Sequence, residues 1–167
     1  MSEGGGFADR LQAARGGLFD GETRYLLLRA DTLAGLFERL APAAQRAALD
    51  AFAEAVREYG GRSVARYAAA AGAGTAELLA LLAETAPQLG WGEWRFTGTD
   101  TATLALRVDN SPFTVLAPAV AGPRCAPIAG MFGAIASQCA GRALRGEEWR
   151  CAGEGAAACE FRVQAAG

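Results

Sequence analysis

The sequence predicts an α+β fold in one domain, with N-terminal helices, antiparallel hairpins and a long helix preceding a terminal hairpin. Three observations carry that prediction. The chain has 167 residues, 51% of them apolar, which is enough for one core and too little for two. Apolar residues recur at spacings of three and four through the first half, then at a spacing of two from Trp94 onward. A single helical stripe interrupts the second half, so the order helices, hairpin, helix, hairpin does not allow a sheet of parallel neighbours joined by crossover helices.

Residues 1–20 are glycine-rich at their start and show no steady period, which reads as a flexible tail leading into a domain over residues 21–167. Tyr25, Leu26, Leu27 and Leu28 between Arg24 and Arg29 form a short apolar run expected to be a buried strand. Asp31 then caps a helix carrying Leu33, Leu36, Phe37 and Leu40, with Pro42 closing it. Leu49, Phe52, Val56 and Tyr59 line one face of a second helix, which Gly60 and Gly61 are expected to interrupt before Val64, Tyr67 and Ala71 resume the stripe. Thr75 caps a further helix with Leu78, Leu79, Leu81 and Leu82, ended by Pro87 and Gly90.

Trp94 and Phe96 alternate with charged neighbours, as do Leu104, Leu106 and Val108 with Thr103 and Arg107, predicting a hairpin. Residues 109–123 contain three prolines and read as a connection covering a pocket. Pro127 suits the first turn of a helix whose stripe is Ile128, Met131, Phe132, Ile135 and Cys139, and Glu147–Arg150 and Glu160–Gln164 read as the terminal hairpin. Gly130, Gly133, Ser137 and Gly141 cluster on that helix. They allow close backbone approach, either within the chain or across a dimer seam.

Composition removes whole classes of chemistry. The chain has no His and no Lys, its sixteen basic residues are all Arg, and its formal charge is -2. A Ser/His/Asp triad, a Cys/His pair, a Schiff-base lysine and a phosphate loop of the Walker type each need a residue that is missing. The interleaved charges give no footprint for nucleic acid. No apolar run reaches the roughly 18–20 residues of a membrane span, and no secretory signal opens the chain, so a cytoplasmic protein is expected.

In such a compartment four cysteines argue for metal binding or plain burial rather than disulfides. Cys151 and Cys159 on the arms of a hairpin turning at residues 153–157 supply half a site. Cys125 and Cys139 stand at opposite ends of one helix, separated by roughly 20 Å at about 1.5 Å per residue, so only one can join the pair. Cys139 falls on the apolar stripe and is assigned to the core, leaving Cys125 on chain just before the helix. With no His, the fourth ligand should be a carboxylate, Glu147 or Glu148. Strand alternation favours Glu147, since Glu148 would need a bulge to face the same way as Cys151.

The segment GPRCAPIAGMFGAIASQCAGRALRGEEWRCAGEGAAACEFRV, residues 122–163, resembles the C-terminal part of the 4-vinyl reductase domain family. Its marks are a Pro-x-Cys entry, a glycine-rich helix and a Glu-x-x-Cys-x7-Cys-x-Phe ending. TRYLLLRADTLAGLFERL, APQLGWGEWRF and VDNSPF extend the likeness upstream to about Thr23. The resemblance implies a structural zinc held by Cys125, Glu148, Cys151 and Cys159, which selects Glu148 against strand parity. It also implies a fold like that of TRAPP trafficking subunits, usually a homodimer, enclosing an apolar pocket.

Trp91, Trp94, Phe96, Phe113 and Phe132 are the candidates to line that pocket, with Arg95, Asn110 or Ser111 as polar partners. In the phenol-sensing activators that carry the domain, the pocket uses a His and a Trp; this chain has no His and places Pro112 and Phe113 where the Trp would stand. Three functions follow from the resemblance. The first is a binding or sensing module for a hydrophobic or aromatic small molecule, signalling to a protein partner. The second is a non-catalytic accessory or carrier protein in tetrapyrrole metabolism of the bacteriochlorophyll vinyl-reduction type, since no dinucleotide fingerprint is present to supply hydride. The third is a dimeric structural adapter.

Overall fold

The period-two half of the chain folds into one four-stranded antiparallel sheet in the order β4-β5-β7-β6. Its strands are β4 (Glu93–Thr97), β5 (Ala105–Asp109), β6 (Leu144–Arg150) and β7 (Cys159–Ala165). Register makes the two faces unlike. Trp94 opposes Val108 and Val108 opposes Cys159, while Phe96 opposes Leu106 and Leu106 opposes Phe161, and these residues form the inner face. On the outer face Arg107 reaches Asp109 at 2.9 Å and Glu160 at 3.5 Å, and Arg150 also reaches Glu160. One face is therefore core and the other a charged, solvated surface. The computed structural model describes residues 6–71, 74–100, 102–115 and 124–165.

The helical half comprises α1 (Phe7–Arg10), α2 (Ala30–Glu38), α3 (Pro42–Ala55), α4 (Gly61–Ala71) and α5 (Thr75–Gln88). The helix α6 (Ala126–Ala140) returns between the hairpins, lying on β6 and against α3 and α4. Phe132 and Ile135 of α6 are fully buried, and Phe132 stacks with Phe96 at 6.4 Å between ring centroids. The small residues of α6 serve this packing within the chain. A Cβ on Gly130 would lie 2.2 Å from the Ala53 carbonyl oxygen, and one on Gly133 would lie 2.8 Å from the Gly146 backbone nitrogen. Ser137 Oγ donates to the Gly133 carbonyl at 2.7 Å and accepts from the Leu144 N–H at 3.0 Å, tying helix to strand. Ser137→Ala orphans that N–H. It is expected to lower stability by about 1–2 kcal/mol, read as a lower urea midpoint with unchanged slope.

Several expectations are corrected. Gly60 and Gly61 do not break the helix: α3 passes through a π-helical turn, Val56–Gly60, directly into α4. The glycines mark a close approach to α6, since a Cβ on Gly60 would meet the end of the Met131 side chain at 2.4 Å and one on Gly61 the Ala134 Cβ at 3.3 Å. Pro42 does not close α2, which ends at Glu38, but opens α3, where its missing N–H is not needed. The run Tyr25–Leu28 is not a buried strand. Only Thr23–Tyr25 pairs, as the edge strand β3, and Leu26 and Leu27 are 84% and 79% exposed.

Residues 7–20, read from sequence as part of a tail, hold α1 and the paired strands β1 (Gln12–Ala14) and β2 (Gly17–Asp20), with β2 also paired to β3. Phe7 is buried and meets Tyr25 edge-on at 5.1 Å. Residues 1–5 of that tail lie outside the described residues. Of the proline-containing connection, Pro112–Val115 form a 3-10 turn with Phe113 buried, and residues 116–123 also lie outside. Among the described residues no helix is long and apolar enough to cross a membrane.

Candidate functional site

Three separate pieces of chain bring three thiols and a carboxyl together. Cys125 stands at the N-terminal end of α6, Glu148 lies on β6, and Cys151 and Cys159 flank the turn between β6 and β7. Their ligand atoms lie within 4.8 Å of one another and all four residues are buried. Cys125 Sγ and Cys159 Sγ are 3.5 Å apart. For comparison, tetrahedral bonds of about 2.3 Å place sulfur ligands about 3.8 Å apart.

The choice between the two glutamates rests on backbone geometry. Glu148 opposes Phe161, but the next paired residue is Arg150, opposite Glu160, so Trp149 is an extra residue bulged out of the ladder. That insertion reverses parity and turns Glu148 to the same side as Cys151. Glu147 faces away, pairs with Arg162 at 2.6 Å and accepts from Gln164. Cys139 is half-buried on α6 beside the core and is not part of the cluster.

Fit to a cation can be tested on the polar atoms. Glu148 Oε2 accepts the Cys125 backbone N–H at 2.9 Å, whereas buried Oε1 has no hydrogen-bond partner among the described residues. Ser111 Oγ lies 3.1 Å from Cys125 Sγ, and the Ala152 N–H donates to Cys159 Sγ at 3.4 Å. Burial pushes the Glu148 carboxyl up to about 7. Hydrogen bonds with Cys151 and Cys159, together with burial, hold the Cys125 thiol far above the ordinary thiol range, while bonds from Cys125 and Cys159 hold Cys151 well below it. Three sulfurs and one carboxylate oxygen converging on a single point, one oxygen orphaned, fit a divalent cation that would keep all four ionised. Four protein ligands would leave such a cation no open position for a reactive water, the pattern of structural sites.

A separate cavity of about 410 Å³ lies among α4, α5, the π turn and the N-terminal strands. Of the five aromatic candidates, Trp91 and Trp94 are on its wall. Phe96, Phe113 and Phe132 are not: they pack in the core, Phe96 stacked with Phe132 and Phe113 edge-on to Trp91 at 5.5 Å. The suggested polar partners are also elsewhere, with Ser111 at the cysteine cluster and Arg95 on the outer sheet face paired to Asp109. The wall residues that the sequence reading missed are Phe7, Tyr25, Leu26 and Leu27 from the N-terminal segment and Tyr59, Tyr67 and Met131 beyond it. One signal was present: all three tyrosines of the chain are on this wall. No charged side chain lines it among the described residues.

Residues 104–165 match the family model of the 4-vinyl reductase (V-4-R) domain, bearing out the resemblance read from the cysteine-containing segment. The structure is similar to the crystal structure of the phenol-responsive sensory domain of the transcription activator PoxR with phenol. That match has a TM-score of 0.78 at 20% identity and covers 93% of this chain and 85% of that one. It is also similar, with a TM-score of 0.50 at 15% identity, to a trafficking protein particle complex subunit 3 from Naegleria fowleri covalently bound to palmitic acid, over 81% of this chain and 93% of that one. The α+β, TRAPP-like fold expected from sequence is thereby shown. No curated protein matches the sequence.

Proposed function

We propose that this chain, whose residues 104–165 match the 4-vinyl reductase domain, is a zinc-stapled module that binds a small hydrophobic or aromatic molecule. The cavity carries the reading. Its volume of about 410 Å³ falls in the range of about 300–1,000 Å³ of small-molecule sites, and its wall is uncharged. The likeness to a phenol-binding sensory domain supports the same reading. A filled core would have favoured the structural adapter, and the cavity supports a binding role instead. Cys125, Glu148, Cys151 and Cys159 would hold the zinc, which when bound supplies no reaction but fixes the β6–β7 turn to the start of α6.

The test is a thermal shift with apolar compounds, aromatic and aliphatic, and with a porphyrin followed by its absorbance for the carrier role. A ligand at a hundred times its Kd stabilises by about 2.7 kcal/mol, an upward shift of roughly 5–10 °C for a chain of this size. Ala86 is buried on the cavity wall, so Ala86→Leu fills space there. The variant is expected to keep or slightly raise its own melting temperature and to lose the ligand-induced shift. An unchanged shift in Ala86→Leu would place binding outside this cavity.

A further inference from the structure

The wall of the cavity is uncharged, but its mouth is not. Thr23 and Ser63 line the cavity, and both hydroxyls accept hydrogen bonds from one guanidinium nitrogen, Arg66 Nη2, at 3.0 and 3.1 Å. Arg66 is exposed, and among the described residues no carboxylate pairs with it. A second guanidinium at this end, Arg10, is within 3.5 Å of Asp20 and donates to the Tyr67 hydroxyl at 3.4 Å. Its charge is already met. Most other arginines of the chain lie beside acids, as Arg57 does with Glu54 and Arg62 with Glu58. Arg66 instead is held by two hydroxyls at the lip of an apolar chamber. Burial holds the Tyr25 hydroxyl above the ordinary phenol range while the Arg66 charge pulls it back, which places that charge within electrostatic reach of the wall. The apolar rim continues outward through Leu26, Leu27 and Tyr59, all exposed and all lining the cavity.

We infer that the cavity takes an amphiphilic monocarboxylate, its apolar body inside and its carboxylate on Arg66 at the mouth. This rests on the cavity being a ligand site and adds the charge and orientation of the ligand. Guanidinium and carboxylate match in planarity and charge, and the two hydroxyls hold the guanidinium in place before the ligand arrives. Phenol-like and other neutral ligands lack the group that Arg66 would meet. The apolar body is acyl or aryl, and matched pairs separate the two.

Decanoate against decanol and 2-naphthoate against 2-naphthol, titrated calorimetrically at pH 7.5 into wild type, Arg66→Gln and Arg66→Lys, form the test. In at least one pair the carboxylate should bind wild type about tenfold more tightly than its alcohol, a difference of about 1.4 kcal/mol. Arg66→Gln should erase that preference without changing alcohol affinity, Arg66→Lys should restore part of it, and added salt should weaken it. The pair that shows the preference identifies the body as acyl or aryl. Alcohols binding as well as carboxylates, or a preference unaltered in Arg66→Gln, would overturn the assignment of charge while leaving the cavity as a neutral-ligand site. Binding of no member of either pair would overturn this inference and the proposed function together.

Discussion

Replacing Cys159 by serine is expected to strip the protein of about one equivalent of zinc and to remove roughly 3–5 kcal/mol of stability. Cys159 is fully buried, lies 3.5 Å from Cys125 and stands directly after the turn that Cys151 begins. Without its thiolate the remaining donors come from α6, β6 and the first arm of the turn, and the second arm is no longer tied to them. Metal content by mass spectrometry and thermal melts with and without a chelator read the result. Untreated Cys159→Ser should melt where chelated wild type melts. Glu148→Gln should weaken metal retention, whereas Glu147→Gln should retain it, because Glu147 points away to Arg162. Freshly reduced wild type that carries no metal, or melts identically with chelator, would refute the zinc assignment.

The second large effect is expected from a single methyl group at Gly130. A Cβ there would lie 2.2 Å from the Ala53 carbonyl oxygen and 2.9 Å from its carbon, both backbone atoms of α3 that cannot rotate away. Gly130→Ala must therefore push α3 from α6 along a contact next to Ile128 and Phe132, both fully buried. Overpacking of this kind costs about 2–3 kcal/mol, a fall in melting temperature of roughly 5–10 °C. Gly35→Ala is the matched control. Its Cβ would meet only the end of the flexible Arg39 side chain at 3.1 Å, and an interior helical glycine is less stable than alanine by about 0.5–1 kcal/mol. A Gly130→Ala protein as stable as its Gly35→Ala counterpart would show that the α3–α6 seam is not tight.

Elements whose apolar period is set by one dominant partner were legible in the sequence. The β4–β5 and β6–β7 hairpins and α6 face a single core, so their alternation or helical stripe reports it directly. Leu26, Leu27 and Leu28 were misread because a run of apolar residues does not reveal whether it faces packed protein or a cavity mouth. Gly60 and Gly61 were misread as breakers because glycine marks close approach as readily as chain reversal. The cysteine cluster was legible through its spacing and a family pattern, but the preference for Glu148 over Glu147 depended on a one-residue bulge at Trp149. Strict alternation pointed the other way and the register decided. About a third of the cavity wall was hidden because it comes from residues 7–27, whose glycine-rich approach carries no period.

Met131 closes the cavity against Gly60, and six residues earlier on α6, about 9 Å along its axis, Cys125 enters the thiol cluster. One stiff rod thus has a chamber at its side and a clamp at its end. Were an occupant to favour one seating of this rod, it would alter the grip on a cation by some factor, and by thermodynamic reciprocity the cation would alter the grip on the occupant by that same factor. The clamp would in that case be a second listener to whatever fills the chamber.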